Sequence, residues 1–227
     1  MAGKKDRQVT AQAILSLAGT WGVSMVPAQA GPLAAYLATL LKWNQRMNLV
    51  GPGDWRSVFT DLVLDSWYLA DLLQELDMPA APVCYDLGAG AGLPGIPLRI
   101  FWNPGTYNLV EIREKRLAFL RYATALLELK NTYVLEGRAE HILSARPPAD
   151  LILSRAFMPW KEYLALIHGH VAPGGYALVL ANDPYPPQGV AGEVSEVDGW
   201  QFHREQRYET SGGKRYFWVF TPASASR

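Results

Sequence analysis

The 227-residue chain has one cysteine, four histidines, no surplus of charge and no long apolar run, and each shortage removes a class of function. With Cys84 alone, intramolecular disulfides and cysteine-based metal clusters are excluded. Cys84 lies inside an apolar segment, which predicts a packing role rather than a nucleophilic one. His141, His168, His170 and His203 show no ligand spacing coupled to carboxylates, so no metal is expected. Lys and Arg number 21 against 21 Asp and Glu, so the whole chain lacks the basic balance of a nucleic-acid binder and any polyanion site must be a local patch. No apolar run approaches the roughly 18 residues that span a membrane. Lys4, Lys5 and Ala28-Gln29-Ala30 imitate parts of a secretion signal. However, Val9, Ala13, Ile14, Leu17, Ala18 and Trp21 fall on one helical stripe, which predicts a cytosolic amphipathic helix. A cytoplasmic protein, monomeric and without membrane attachment, is the expectation.

Helical periodicity continues to about residue 78, through Leu33, Tyr36, Leu37, Leu40, Leu41 and Trp43 and then Val58, Leu62, Leu64, Trp67, Leu69 and Leu72, punctuated by Gly51-Pro52-Gly53-Asp54. From Val83 the pattern changes to strands alternating with helices, which predicts a mostly parallel sheet covered on both faces. Strands are placed near 83–87, 107–111, 132–136, 150–153 and 175–181, with helices near 94–102, 114–129, 139–144 and 159–168. Two further strands, 199–208 and 215–220, flank Ser211-Gly212-Gly213, a hairpin signal. The division is a helical lobe over 1–78 and an α/β domain over 79–227, packed as one unit. Asp183 to Asp198, rich in Pro, Gly and Glu, reads as a mobile loop.

The segment richest in information is Asp86-Leu87-Gly88-Ala89-Gly90-Ala91-Gly92-Leu93-Pro94-Gly95. An apolar strand feeds a carboxylate, then closely spaced glycines that permit positive φ or close ligand approach, then a proline suited to a first helical turn. Gly90-x-Gly92-x-x-Gly95 also satisfies the dinucleotide pattern. A carboxylate at the mouth of the turn, Asp86, would repel a pyrophosphate but welcome the ammonium and sulfonium of S-adenosylmethionine, which favours that cofactor. Glu111 ends a second strand about 20 residues farther on, where an acid accepts ribose hydroxyls in either cofactor class. A turn holding no ligand is the plain alternative.

The same residues, taken in order, resemble a known family. Asp86 to Leu98, Lys115-Arg116-Leu117-Ala118-Phe119-Leu120, Arg138-Ala139-Glu140 and Ser154-Arg155-Ala156-Phe157 follow one another, with Trp43-Asn44, Asn48-Leu49 and Leu64-Asp65-Ser66 upstream. Together they resemble the bacterial small-subunit ribosomal RNA guanine-N7 methyltransferases, the RsmG or glucose-inhibited division protein B family. The resemblance runs from about Tyr36 to Leu180, with a weaker echo at Lys214-Arg215. It implies a Rossmann-like class I S-adenosylmethionine-dependent methyltransferase with a seven-stranded, mostly parallel sheet, acting on ribosomal RNA or the small subunit.

Carried over residue by residue, the resemblance implies cofactor contacts at Asp86, Gly88, Gly90, Leu93, Glu111, Ala139, Glu140 and Arg155. Gly88 allows close approach, Leu93 covers the methionine end, Glu111 takes the ribose, and Ala139 and Glu140 face the adenine edge. Arg155 and Asp65 are the candidates beside methyl transfer. Each has a bland reading as well: Glu140 as an acid complementing a helix dipole, Glu111 as a cap of the next helix, and Arg155 as a partner of Asp86 or Asp65. Arg113, Lys115, Arg116, Lys214 and Arg215 are the RNA-contact candidates, against the reading of a solvated face.

Two departures remove positive charge near the expected RNA face: Asp61 and Leu62 stand where the family carries a basic residue and histidine, and Leu180-Ala181-Asn182 replaces Leu-Lys-Gly. These losses favour the rival readings, a methyltransferase of a small molecule or protein or a non-catalytic relative. Asn182-Asp183-Pro184-Tyr185 echoes the grip of amino-methylating enzymes, but it follows the fifth strand rather than the fourth and reads as a plain loop.

Overall fold

The computed structural model describes residues 8–186, 196–197 and 199–223, so most of the loop expected over 183–198 lies outside the described residues. Eight helices and eight strands are described. The first helix, α1 (Ala11–Thr20), begins where the Thr10 side chain accepts the Ala13 amide at 3.2 Å, which satisfies one of the orphan donors of a helix start. In α2 (Pro27–Met47), Leu33, Tyr36, Leu37 and Leu40 make the buried stripe. Asn48 ends α2 in the left-handed conformation, and the Asn44 amide bridges the Val50 N–H and C=O at 3.0 Å each. Thus Asn44 and Asn48 of the upstream motif fix the exit from a helix.

A short α3 (Trp55–Val58), capped by Asp54, runs through a single π-helical turn, Phe59–Val63, into α4 (Leu64–Glu75). The α/β part then follows: β1 (Val83–Leu87), α5 (Gly95–Phe101), β2 (Thr106–Glu111), α6 (Glu114–Leu126), β3 (Thr132–Glu136), α7 (Ala139–Ser144), β4 (Ala149–Arg155), α8 (Trp160–Ile167), β5 (Val171–Ala181), a two-residue β6 (Glu196–Val197), β7 (Trp200–Thr210) and β8 (Gly213–Pro222). Pro94 precedes α5 as its cap rather than occupying its first turn, so Gly95 opens the helix. None of the described helices is long and apolar enough to cross a membrane.

The sheet order is β3-β2-β1-β4-β5-β8-β7-β6, with the first five strands parallel and β8 antiparallel between β5 and β7. This is the expected seven-stranded sheet with β6 added at its edge. Strand alternation divides the core. Cys84, Leu151, Leu153 and Leu178 face the helical lobe, α5 and α6 in one apolar cluster, and Tyr85, Leu87, Ile152 and Val179 face α7 and α8 in another. Burial pushes the Cys84 thiol up to about 12, which fits packing and not nucleophilic chemistry. The chain turns outward in opposite directions from β1 and β4, which leaves a crevice at their carboxyl ends.

Candidate active site

The glycine turn forms the floor of that crevice. Gly88 takes φ 72°, and a Cβ built there would lie 2.5 Å from the Phe157 ring, so only glycine lets the turn and Phe157 pack together. The Gly88 and Ala89 amides donate to the Val110 carbonyl at 2.9 and 3.0 Å, which binds the turn to the end of β2. From the helical lobe, the Tyr36 hydroxyl donates to Ala91 O at 2.8 Å and the Ser66 hydroxyl to Pro94 O at 2.9 Å. The lobe therefore holds the turn from behind.

Glu111 is buried at the end of β2 and organises the rim. Its Oε1 accepts the Ile112 and Arg113 amides at 2.8 and 2.9 Å, and its Oε2 accepts the Gly90 amide at 3.1 Å and lies 3.5 Å from Arg116 Nη1. The carboxylate caps the entry to α6 and ties it to the glycine turn. Gly88, Val110, Glu111, Ile112, Gly137, Arg138, Ala139, Glu140 and Phe157 line a cleft of about 250 Å³. Ile112 is half exposed in this lining.

Asp86 does not stand at the mouth of the turn. It is buried beneath it, accepting from the Tyr107 hydroxyl at 3.4 Å and from the Gly95 amide. Burial outweighs those donors and pushes its carboxyl up to about 7. Leu93 is also buried, in the cluster shared with the helical lobe, and does not line the cleft.

Arg155 pairs with Asp65 rather than Asp86, at 3.1 Å between Nη1 and Oδ2. Asp65 is buried on α4 and also accepts the Tyr208 hydroxyl at 2.9 Å; burial raises its carboxyl, with Arg155 and Tyr208 opposing the shift. Ala156, next in sequence, adopts φ 50°, an uncommon conformation for a residue with a Cβ, and this turn aims Phe157 back over Gly88. Arg155 thereby joins the lobe to the cleft wall.

Of the cofactor candidates, Gly88, Glu111, Ala139 and Glu140 come together in the cleft, and Gly90 reaches it through Glu111. Arg113 and Lys115 are exposed at the start of α6 and Lys214 at the start of β8, whereas Arg116 is drawn into the rim by Glu111. Arg215 lies close enough to Asp65 to oppose the rise of its carboxyl. The hairpin turn beside it docks on the π-helical turn: the Ser211 hydroxyl bonds Thr60 Oγ1 at 2.6 Å and also Asp61, and the Ser211 amide donates to Thr60 O at 3.2 Å. Asp61, one of the departures from the family pattern, therefore has a structural partner.

Phe157, Ile112 and Arg138 are cleft residues that sequence reasoning left without a role. Phe157 carried a signal, since it closes the Ser-Arg-Ala-Phe segment. Among the described residues, no group of three or more His, Cys, Asp or Glu could hold a metal ion.

Comparison with known proteins agrees with this geometry. A putative O-methyltransferase from Klebsiella pneumoniae shares the fold over 97% of this chain and 99% of its own, with TM-score 0.58 at 14% identity. A putative methyltransferase from Escherichia coli, yhhF, matches 69% of this chain and 84% of its own with TM-score 0.51 at 18% identity. The sheet therefore has the same fold as these two proteins. At the level of sequence, a ribosomal RNA small subunit methyltransferase G from Nitratidesulfovibrio vulgaris is 46% identical over 222 residues, 98% of either chain. The protein of that name from Oleidesulfovibrio alaskensis is 41% identical over 208 residues, 90% of either chain. The family model described as GidB, rRNA small subunit methyltransferase G, matches residues 29–185. With more than half its length matched and the glycine turn, Glu111 and Arg155 all inside the match, the chain belongs to the GidB family of small-subunit ribosomal RNA methyltransferases.

Proposed function

We propose that the cleft holds S-adenosylmethionine and that the protein transfers its methyl group to N7 of a guanine in small-subunit ribosomal RNA. The observation that carries this reading is Glu111, a buried carboxylate whose Oε2 lies at the cleft beside the Gly90 amide, where ribose hydroxyls find a charged acceptor. The fit extends to Gly88, which lines the cleft under the Phe157 ring, and to the Ala139 and Glu140 wall at the start of α7. Arg138, Ile112 and Phe157 complete the lining that would hold the cofactor. Asp86 and Leu93 act from beneath, holding the turn in shape.

The cofactor supplies a methyl group activated on a sulfonium. Guanine N7 attacks with its own lone pair, so no residue need remove a proton. The chain's work is to align the reacting atoms and exclude water. The methylated guanine is cationic, and a bare arginine close by would oppose its formation. Asp65 neutralises Arg155, so Arg155 shapes the site without imposing a full positive charge. Arg113, Lys115, Lys214 and Arg215 contact phosphates around the cleft. The helical lobe of 1–78 and the α/β part of 79–227 work as one monomeric unit in the cytoplasm, where small subunits are assembled.

The test is incubation with methyl-labelled S-adenosylmethionine and, separately, small subunits lacking the guanine-N7 mark, protein-free ribosomal RNA, and buffer. Label at guanine N7 in either RNA sample is expected. Cofactor binding without RNA label overturns the substrate, and absence of cofactor binding overturns the whole reading.

A further inference from the structure

Beyond the cleft, α2 and α6 enclose a larger groove of about 730 Å³ whose walls carry Lys42, Trp43, Arg46, Met47, Glu114 and Lys115. We propose that this groove seats an unpaired stretch of the RNA substrate and leads it to the cleft. The proposal rests on the ribosomal RNA reading above and adds to it the path of the strand.

Three features specify the occupant. The first is charge. Lys42 and Arg46 are exposed one helical turn apart on α2, and Lys115 is exposed on α6; none of the three forms an ion pair with another described residue, and Glu114 is the single acid on the walls. In a chain whose charges cancel, this is a local cationic patch suited to a polyanion.

The second is a fixed aromatic wall. Trp43 is partly buried, edge-on to Phe119 at 5.6 Å and tilted against Tyr122 at 5.5 Å, so its indole is held in place while lining the groove. A rigid ring beside cations is the arrangement that binds single strands, because an unstacked base offers its face whereas a base inside a duplex is already stacked.

The third is continuity. Lys115 is followed by Arg116, whose guanidinium reaches Glu111 at the cleft, so consecutive residues of α6 serve groove and cleft. On the other wall, Tyr36 of α2 is bonded to the glycine turn. Both walls are thus anchored to the site they would serve.

The experiment compares the wild type with Lys42→Glu/Arg46→Glu, with Trp43→Leu, and with Lys130→Glu, a control exposed beyond the far end of α6. Cofactor affinity is read by calorimetry, affinity for protein-free small-subunit ribosomal RNA at two salt concentrations, and KM and kcat on labelled small subunits. The double variant is expected to keep the cofactor affinity, to bind RNA at least about tenfold more weakly, and to show a shallower salt dependence, by about 0.7 for each phosphate no longer neutralised. Trp43→Leu is expected to weaken RNA binding by about tenfold with an unchanged salt slope. Lys130→Glu is expected to match the wild type.

Wild-type RNA affinity and salt slope in the double variant, alongside normal labelling by the wild type, overturn the groove while leaving the function intact. Weakened binding to small subunits but not to free RNA assigns the groove to a ribosomal protein and overturns it too. Competition by duplex RNA equal to that by oligouridylate overturns the claim that the strand is unpaired. Failure of the wild type itself to label any RNA overturns the reading beneath.

Discussion

At the cleft proposed for the cofactor, backbone amides from Gly88, Ala89, Gly90, Ile112 and Arg113 are all engaged within one crevice, and two carboxylates, Asp86 and Glu111, are buried to hold it. At the rim proposed for the substrate, Lys42, Arg46, Lys115 and Lys214 stand exposed on three separate elements. Cleft geometry is fixed by short-range backbone bonds, several of them to the buried Glu111 carboxylate, where a misplaced donor is costly. Rim chemistry is carried by mobile cations in water, each contributing little by itself. The cleft should therefore be brittle and the rim graded.

The sharpest way to break the contrast is Glu111→Gln. Either oxygen position of Glu111 already accepts backbone N–H groups, so whichever way a glutamine amide is turned, its NH2 meets a donor. Cofactor affinity is expected to fall by about two orders of magnitude, read by calorimetry, since charged hydrogen bonds contribute about 1.5–3 kcal/mol each. A loss below threefold would mean that Glu111 is only a helix cap.

Gly88→Ala comes next. The new methyl group must displace the Phe157 ring and adopt a positive φ, which costs about 1–2 kcal/mol in backbone strain. Weaker cofactor binding and a lowered Tm are expected, and adding Phe157→Ala should relieve the clash while leaving the strain.

Asp86→Asn isolates a pH effect. The folded protein holds the Asp86 proton up to about pH 7, against an ordinary value of 3.8, so this group's stabilising contribution is full below about pH 4 and is lost as pH rises towards 7. Denaturant unfolding should show the variant improving relative to the wild type between pH 5 and pH 8. A difference that stays constant with pH would show that Asp86 is ionised throughout.

The smallest effect belongs to the rim. Lys214→Ala should leave cofactor affinity within about twofold and weaken RNA binding with a salt slope reduced by about 0.7, measured by titration at several ionic strengths. A large change in cofactor affinity would erase the distinction between cleft and rim.

This division also explains what the sequence disclosed. The glycine turn was readable because positive φ and close packing leave glycine as the residue that fits, and the mostly parallel sheet because apolar runs alternate with helical stripes, its seven strands being what the family resemblance implies. Asp86 was readable as an acid but not as a buried one, since burial depends on Tyr107 and Gly95, which arrive from other elements. Arg116 sits at helical spacing beside Lys115 and Arg121, a pattern that looks like a solvated face; its turn towards Glu111 is a tertiary contact. Lys42 and Arg46 lie in a helix whose periodicity advertises its apolar stripe, and the groove exists only once α6 stands opposite. The π-helical turn left no compositional mark, because a change in hydrogen-bond register needs no particular residue.

The clasp between the hairpin turn and the π-helical turn joins residue 211 to residues 60 and 61, and Tyr208 reaches back to Asp65. The last strands therefore complete a wall begun by the first helices. During synthesis, a chain emerging from the ribosome has every residue of the cleft in hand by Phe157, yet Asp65, the partner that neutralises Arg155, lacks its second support until Tyr208 has been made. Synthesis of the hairpin is thus built into completion of the site, and a chain cut short before it is left with an open seam along α4 and the π-helical turn.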